Sequence, residues 1–170
     1  MPVTPFHFGP GILLKSAAPK RFSLTAFITC QIVIDFETAI NMLMGRERLH
    51  TFFHSYLGST VCAVLTMGIV LLGSKFLRAL NHLLDPGTPR SADGDLPWTW
   101  SIRTLAVSSI IGAWSHVLLD SVMHSDITPF APFSEANPLL GVVSVLTLHV
   151  TCFLSGVIGC GIWLIRRKRN

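Results

Sequence analysis

The stretch YLGSTVCAVLTMGIVLLGS, Tyr56–Ser74, contains no charged residue. A helix needs roughly 20 consecutive apolar residues to cross the hydrocarbon core of a bilayer, so this stretch predicts a transmembrane helix. The segment Leu139–Ile165 is also uncharged when His149 is counted as neutral. Because two such segments occur in one short chain, the sequence predicts an integral membrane protein.

The composition of the whole chain points to the same class of protein. Half of the 170 residues are hydrophobic and only 13% are charged, whereas a soluble domain has about 25% charged residues. The net charge of +4 comes from Lys and Arg near the ends of apolar segments, such as the basic run 166–169. Such residues anchor spans beside anionic headgroups, so we expect membrane lipid, and no nucleic acid, as the partner of this charge.

The apolar segments predict an all-α fold, an integral membrane helical bundle that forms a single transmembrane domain over residues 1–170. It has four transmembrane helices and a short N-terminal re-entrant or amphipathic helix, and Trp98 and Trp100 are predicted interfacial anchors. The four cysteines form no CxxC pair and are interpreted as packing residues. The predicted spans are approximately 22–43, 56–80, 102–124 and 139–165, with a polar cytoplasmic loop at 81–101.

The distribution of Lys and Arg predicts the orientation of these spans. The positive-inside rule places the basic segment 15–21, the region 75–103 and the C-terminus in the cytoplasm. The loops 46–55 and 125–138 then face outward. The N-terminus has no basic region followed by a long apolar run, so no cleavable signal peptide is expected.

Ionisable residues follow a helical spacing at the end of the third span, in SHVLLDSVMHSDITPF, Ser115–Phe130. His116, Asp120 and His124 are four residues apart, and such neighbours lie on one face of a helix. His50 and His54 have the same spacing if their stretch is helical. Imidazole nitrogens and carboxylate oxygens are ligands of zinc, manganese and iron, so the spacing predicts a metal site.

Other ionisable residues are expected at the same end of the bundle. If the N-terminal helix descends to the basic turn and the first span returns, a rise of about 1.5 Å per residue brings His7 level with Asp35. Glu37 and Asp120 are candidate catalytic groups that accept a proton. The candidate metal ligands are His7, Asp35, His50, His54, His116, Asp120 and His124.

The residues also allow simpler explanations. The acids of the first span could pair with Arg46 or Arg48. His149 could be a ligand, a proton relay or a hydrogen-bonded core residue. Ser134 and Asn137 could form a polar rim over the site or belong to a plain proline-rich turn.

Several motifs together, in this order, resemble those of the membrane-bound metal-dependent hydrolase family, of the LexA-regulated inner-membrane type. They are His7 in FHFGPG, Asp35-Phe36-Glu37, the turn His50–Ser55, the pair His116 and Asp120, and Pro132-Phe133-Ser134. The match runs from about residue 5 to residue 137. The resemblance implies a small protein of a bacterial or archaeal inner membrane.

The resemblance also implies metal-dependent hydrolysis, and the His and carboxylate ligands favour zinc, with manganese or iron as alternatives. The order of His and Asp is similar, more distantly, to that of zinc-dependent phospholipase C. We therefore expect an ester or phosphoester of an amphiphilic or lipid-like substrate at the outer membrane interface.

Two further functions are open. An ion or proton transporter would need polar groups that continue to the cytoplasmic side, where the sequence offers only His149. A non-catalytic structural membrane protein would use its buried polar groups to set the helix register.

Overall fold

A computed structural model describes residues 5–84 and 101–168, without the side chains of residues 78, 81 and 82. Over these residues the secondary structure is helical, which confirms the predicted fold class. Most of the predicted cytoplasmic loop, with Trp98 and Trp100, lies outside the described residues. The helices are α1 (Phe8–Ala17), α2 (Leu24–Leu43), α3 (Tyr56–Leu84), α4 (Ile102–Met123) and α5 (Val145–Arg167), with short 3₁₀ helices at Pro5–His7 and Phe52–His54.

Four helices are long and apolar enough to cross a membrane: Leu24–Leu43, Tyr56–Leu77, Ile102–Met123 and Val145–Arg167. In α2, 44% of the residues in the apolar stretch are buried, and in α4 56% are buried. The buried share is only 17% in α3 and in α5. α2 and α4 therefore form the interior of the bundle. α3 and α5 present broad apolar surfaces, which suit contact with lipid.

Serine caps determine where three of these helices begin. Ser23, Ser101 and Ser144 each accept a hydrogen bond from the backbone N–H three residues later, which satisfies an N–H that the first turn leaves unpaired. The fourth span consequently begins at Val145 and not at the predicted residue 139. The chain just before it turns at Gly141, whose φ of +71° favours glycine.

Glycines allow α4 to lie directly against the backbone of α2. A Cβ at Gly112 would lie 2.8 Å from the carbonyl oxygen of Phe27. α1 and α5 make a similar contact, because a Cβ at Gly159 would lie 2.7 Å from the backbone nitrogen of Leu13. Such close contacts through small residues are typical of helix pairs in membranes.

The N-terminal segment folds back on α2 as a helical hairpin. At its turn, the Lys15 ammonium group donates to the carbonyl oxygens of Pro19 and Phe22 at 2.7 and 3.0 Å. Arg166 of α5 donates to the carbonyl oxygens of Ser16 and Ala17 at the end of α1. Arg166 thus satisfies carbonyl groups that the end of α1 leaves unpaired, and Lys15 satisfies carbonyl groups of the turn. The hairpin brings the start of the chain to the far end of α2.

Replacing Gly112 by Ala is expected to lower the thermal unfolding midpoint of the detergent-solubilised protein. The added methyl group would push α2 and α4 apart, and overpacking of this kind typically costs about 1–3 kcal/mol. Gly68→Ala on α3 is the matched control, because a Cβ there meets no atom within 4 Å. Equal midpoints for the two variants would contradict the backbone contact between α2 and α4.

Candidate metal centre

Four buried side chains converge at one end of the bundle. Asp35 comes from α2, His54 from the 3₁₀ helix that precedes α3, and His116 and Asp120 from α4. Each is at most 6% exposed, and each offers one ligand atom within 4.8 Å of the others. This group, here called the central group, could hold a metal ion.

The spacing within the central group suits a tetrahedral ion. His116 Nε2 lies 3.1 Å from Asp120 Oδ2 and 3.4 Å from Asp35 Oδ1. His54 Nε2 lies 3.7 and 3.9 Å from the same two oxygens. Zinc bonds of about 2.0–2.2 Å in tetrahedral geometry separate neighbouring ligand atoms by roughly 3.3–3.6 Å, and the observed distances lie on both sides of this range.

Several imidazole nitrogens in this region are buried without a hydrogen bond. Among the described residues, both ring nitrogens of His7 and His116 and the Nδ1 of His54 have no hydrogen-bond partner. A buried polar atom left in this way costs about 1–3 kcal/mol. Nε2 of His116 therefore approaches Asp35 and Asp120 closely without a hydrogen bond, as expected when these groups face a common centre, while Nε2 of His54 is also within 3.4 Å of Thr38 Oγ1.

His7 borders the central group, at the level that the hairpin argument predicts. Its Nε2 lies 3.4 Å from Asp120 Oδ1, and its ring lies edge-on to the His116 ring at 5.1 Å. Burial lowers the pKa of His7 to about 4. The ring is therefore neutral near pH 7 and retains a lone pair for a metal or a proton.

Glu37, a predicted proton acceptor, lies on the far side of His54 from the central group. Its Oε2 accepts hydrogen bonds from the backbone N–H groups of Phe53 and Thr51 at 2.9 and 3.3 Å. The same oxygen lies 3.5 Å from Nδ1 of His54, whose Nε2 faces the central group. A carboxylate in this position orients a ligand ring.

A second group adjoins the first and consists of His50, Asp120 and His124, whose ligand atoms also lie within 4.8 Å of one another. His124 is not on the helical face that the spacing predicts, because α4 ends at Met123 and His124 is extended at φ −115° and ψ 124°. Its ring lies against the His50 ring instead, with centroids 4.4 Å apart. This set is here called the outer group.

Asp126, which the sequence reasoning missed, holds His50 in place. Its carboxylate lies 2.9 Å from His50 Nδ1. It also accepts hydrogen bonds from the backbone N–H groups of Leu49 and His50, both at 3.1 Å. Burial by itself would raise the pKa of Asp126, but the hydrogen bonds from His50 and Leu49 bring it below its usual value. The signal in the sequence was an acid two residues after His124, in a loop predicted to lie on the same side as His50.

Arg48 and His149, whose roles the sequence left open, contact residues outside the central group. Arg48 donates to the carbonyl oxygen of Asp126 at 3.1 Å and to Thr128 Oγ1 at 2.9 Å, so it joins two loops. His149, on α5, is partly buried and packs against Phe6, with ring centroids 4.8 Å apart.

The proline-rich loop supports the end of α4. Asn137 donates to the carbonyl oxygens of Ser121 and His124 at 2.9 and 3.3 Å, which fixes the backbone that carries His124. Ser134 is exposed and accepts a hydrogen bond from Ala136 within the loop. Of the two predicted rim residues, Asn137 is therefore the one that contacts the outer group.

The sequence matches the family described as a domain of unknown function, DUF4184, over residues 1–170. The protein is a member of the DUF4184 family. No curated protein and no solved structure matches the chain. Both the central and the outer group lie inside the DUF4184 match, and the resemblance to membrane-bound metal-dependent hydrolases stays a prediction.

Replacing Asp126 by Ala is expected to loosen the loop that carries His50. The backbone N–H groups of Leu49 and His50 would lose their acceptor, so trypsin should cleave after Arg46 and Arg48 several-fold faster in detergent. Glu135→Ala, at an exposed acid of the same α4–α5 connection, is the control. Equal cleavage rates in the two variants would show that Asp126 does not anchor this loop.

Proposed function

We propose that this DUF4184 protein is a membrane-bound metal-dependent hydrolase, with its metal held by the central group. One observation carries the proposal. Two buried imidazoles and two buried carboxylates face one another at distances of 3.1–3.9 Å, close to the spacing of tetrahedral ligands.

The charge of the central group supports a divalent ion. Ionised Asp35 and Asp120 would place two negative charges in a buried, apolar part of the bundle, and each costs several kcal/mol unless it is compensated. A divalent cation balances both. Two nitrogen and two oxygen ligands suit zinc best, with manganese and iron as alternatives.

The residues around the ion have separate roles in proton transfer and in ligand orientation. A divalent metal held by the four residues of the central group would supply a Lewis acid, and with its coordination expanded to five it would admit a water and make that water nucleophilic near neutral pH. Asp120 faces the central group through Oδ2, while its Oδ1 faces His7. His7 is thus placed beside the ligand sphere to accept a proton during hydrolysis, and Glu37 holds the ring of His54.

The surroundings of the site suit an amphiphilic substrate. The loops at this end of the bundle expose large aromatic side chains, with Phe52 at 48%, Phe130 at 43% and Phe133 at 88% exposure. Apolar chains can lie against these rings while a polar headgroup reaches the central group. This arrangement supports a lipid-like ester or phosphoester at the outer membrane interface, the side to which the positive-inside rule assigns these loops.

Elemental analysis of the detergent-purified protein tests the proposal. We expect at least one equivalent of zinc, manganese or iron per wild-type chain, and its loss in His116→Ala and Asp120→Ala. His149→Ala is the matched control, because this histidine packs against Phe6 outside both groups, and it should keep the metal. No metal in any of these proteins would support the structural alternative.

The same proteins allow a test of hydrolysis. With vesicles of phosphatidylglycerol as substrate, the wild type and His149→Ala should release product, and His116→Ala should fall to background. A chelator should abolish turnover, and the added metal should restore it. Metal-dependent ion flux into vesicles without lipid turnover would favour a transporter instead.

Replacing Glu37 by Gln distinguishes an orienting role from proton transfer. If Glu37 orients His54, metal affinity should fall about 10–100-fold, and turnover should recover at saturating metal. Glu47→Gln, at an exposed acid of the following loop, is the control and should bind as the wild type does. Lost turnover with unchanged metal affinity would instead support the prediction that Glu37 accepts the proton.

A further inference from the structure

We propose that the protein holds two metal ions side by side, with the second in the outer group and Asp120 shared between them. The second ion would be bound by His50, Asp120 and His124, whose ligand atoms lie within 4.8 Å of one another. This inference deepens the proposed function and rests on the first ion in the central group.

Asp120 is the one residue common to both groups. Its Oδ2 lies 3.1 Å from His116 Nε2 and 3.7 Å from His54 Nε2. A carboxylate can bridge two cations, and paired catalytic metals lie about 3.5–4 Å apart. The His50 and His54 rings, one from each group, are adjacent with centroids 4.6 Å apart, which places the two groups side by side.

Each group contains a histidine with a carboxylate behind its ring. Glu37 lies behind His54 in the central group, and Asp126 lies 2.9 Å from His50 Nδ1 in the outer group. An ionised Asp126 can only accept, so Nδ1 of His50 carries the proton and Nε2 carries the lone pair that a metal requires. Such pairs are typical of metal-ligating histidines.

His124 is also held in a defined position. Its backbone N–H donates to the carbonyl oxygen of Asp120 at 2.9 Å, and its carbonyl oxygen accepts from Asn137 at 3.3 Å. The chain therefore leaves the helix in a fixed direction, with the His124 ring against that of His50. A loose terminal residue would not provide a ligand with a set position.

The two groups differ in ways that predict different affinities. The central group is buried and has four protein ligands, whereas the outer group has three and includes the half-buried His124. A site with three protein ligands leaves a coordination position open for a substrate oxygen. Paired metals are common in enzymes that cleave phosphoesters, so the outer group favours a phosphoester over a carboxylic ester.

Metal titration of the purified, metal-free protein tests this inference. We expect the wild type to bind two Mn²⁺ per chain, the second more weakly, and the two ions to give a spin-coupled paramagnetic resonance spectrum. His124→Gln should weaken the second equivalent at least 100-fold and give the spectrum of an isolated Mn²⁺. His149→Gln should behave as the wild type does.

A second variant distinguishes the loss of a metal ligand from a folding defect. His50→Gln keeps an amide that can donate to Asp126, so its loop should remain anchored, and it should also bind one equivalent. An unfolding midpoint equal to that of the wild type shows that the fold is kept. If both His50→Gln and His124→Gln still bind two coupled ions, the outer group is not a metal site and the inference is wrong.

The outcomes for the second metal and for hydrolysis are separable. A wild type that hydrolyses phosphatidylglycerol but binds one equivalent at saturation overturns the second site and leaves the proposed function standing. A wild type that binds two coupled ions, loses one in each outer-group variant and hydrolyses no ester supports the second site and contradicts the hydrolase.

Discussion

The burial of two carboxylates inside an apolar bundle is the constraint on which the site depends. Asp35 and Asp120 come from different helices, and both are largely buried. An ionised carboxylate in such a place costs several kcal/mol unless charge or hydrogen bonds compensate it. The nearest groups are imidazoles, which approach at 3.1–3.9 Å without hydrogen-bond geometry. A dipositive ion at their centre would balance both charges and give Nε2 of His116 a partner.

The helix contacts make this concentration of polar groups possible. Gly112 lets α4 touch the backbone of α2, which brings Asp35 within reach of His116. The hairpin of α1 and α2 adds His7 beside Asp120, and α5 holds α1 in place through glycine contacts and Arg166. The ligands of the central group thus lie mainly on helices, which keep positions better than loops do.

The outer group is built in another way, and the difference bears on function. His50 and His124 lie on loop segments, and their positions depend on Asp126 and Asn137. Loops of this kind carry binding residues on a rigid scaffold in many proteins. A buried group on helices beside an adjustable group on loops would combine a permanent metal with a position that meets the substrate. The exposed aromatic rings nearby offer the substrate an apolar surface.

The sequence by itself determined the class of fold and the core of the site. Long uncharged segments leave a chain few choices other than membrane helices, and the fixed rise of a helix sets His116 beside Asp120 and His7 level with Asp35. The tertiary structure decided the course of the chain beyond the helix ends. It directed His124 away from the face of α4, placed Glu37 behind His54, and paired His50 with Asp126 from a distant loop. These contacts depend on turns, caps and backbone hydrogen bonds between segments far apart in sequence, and no local periodicity encodes them.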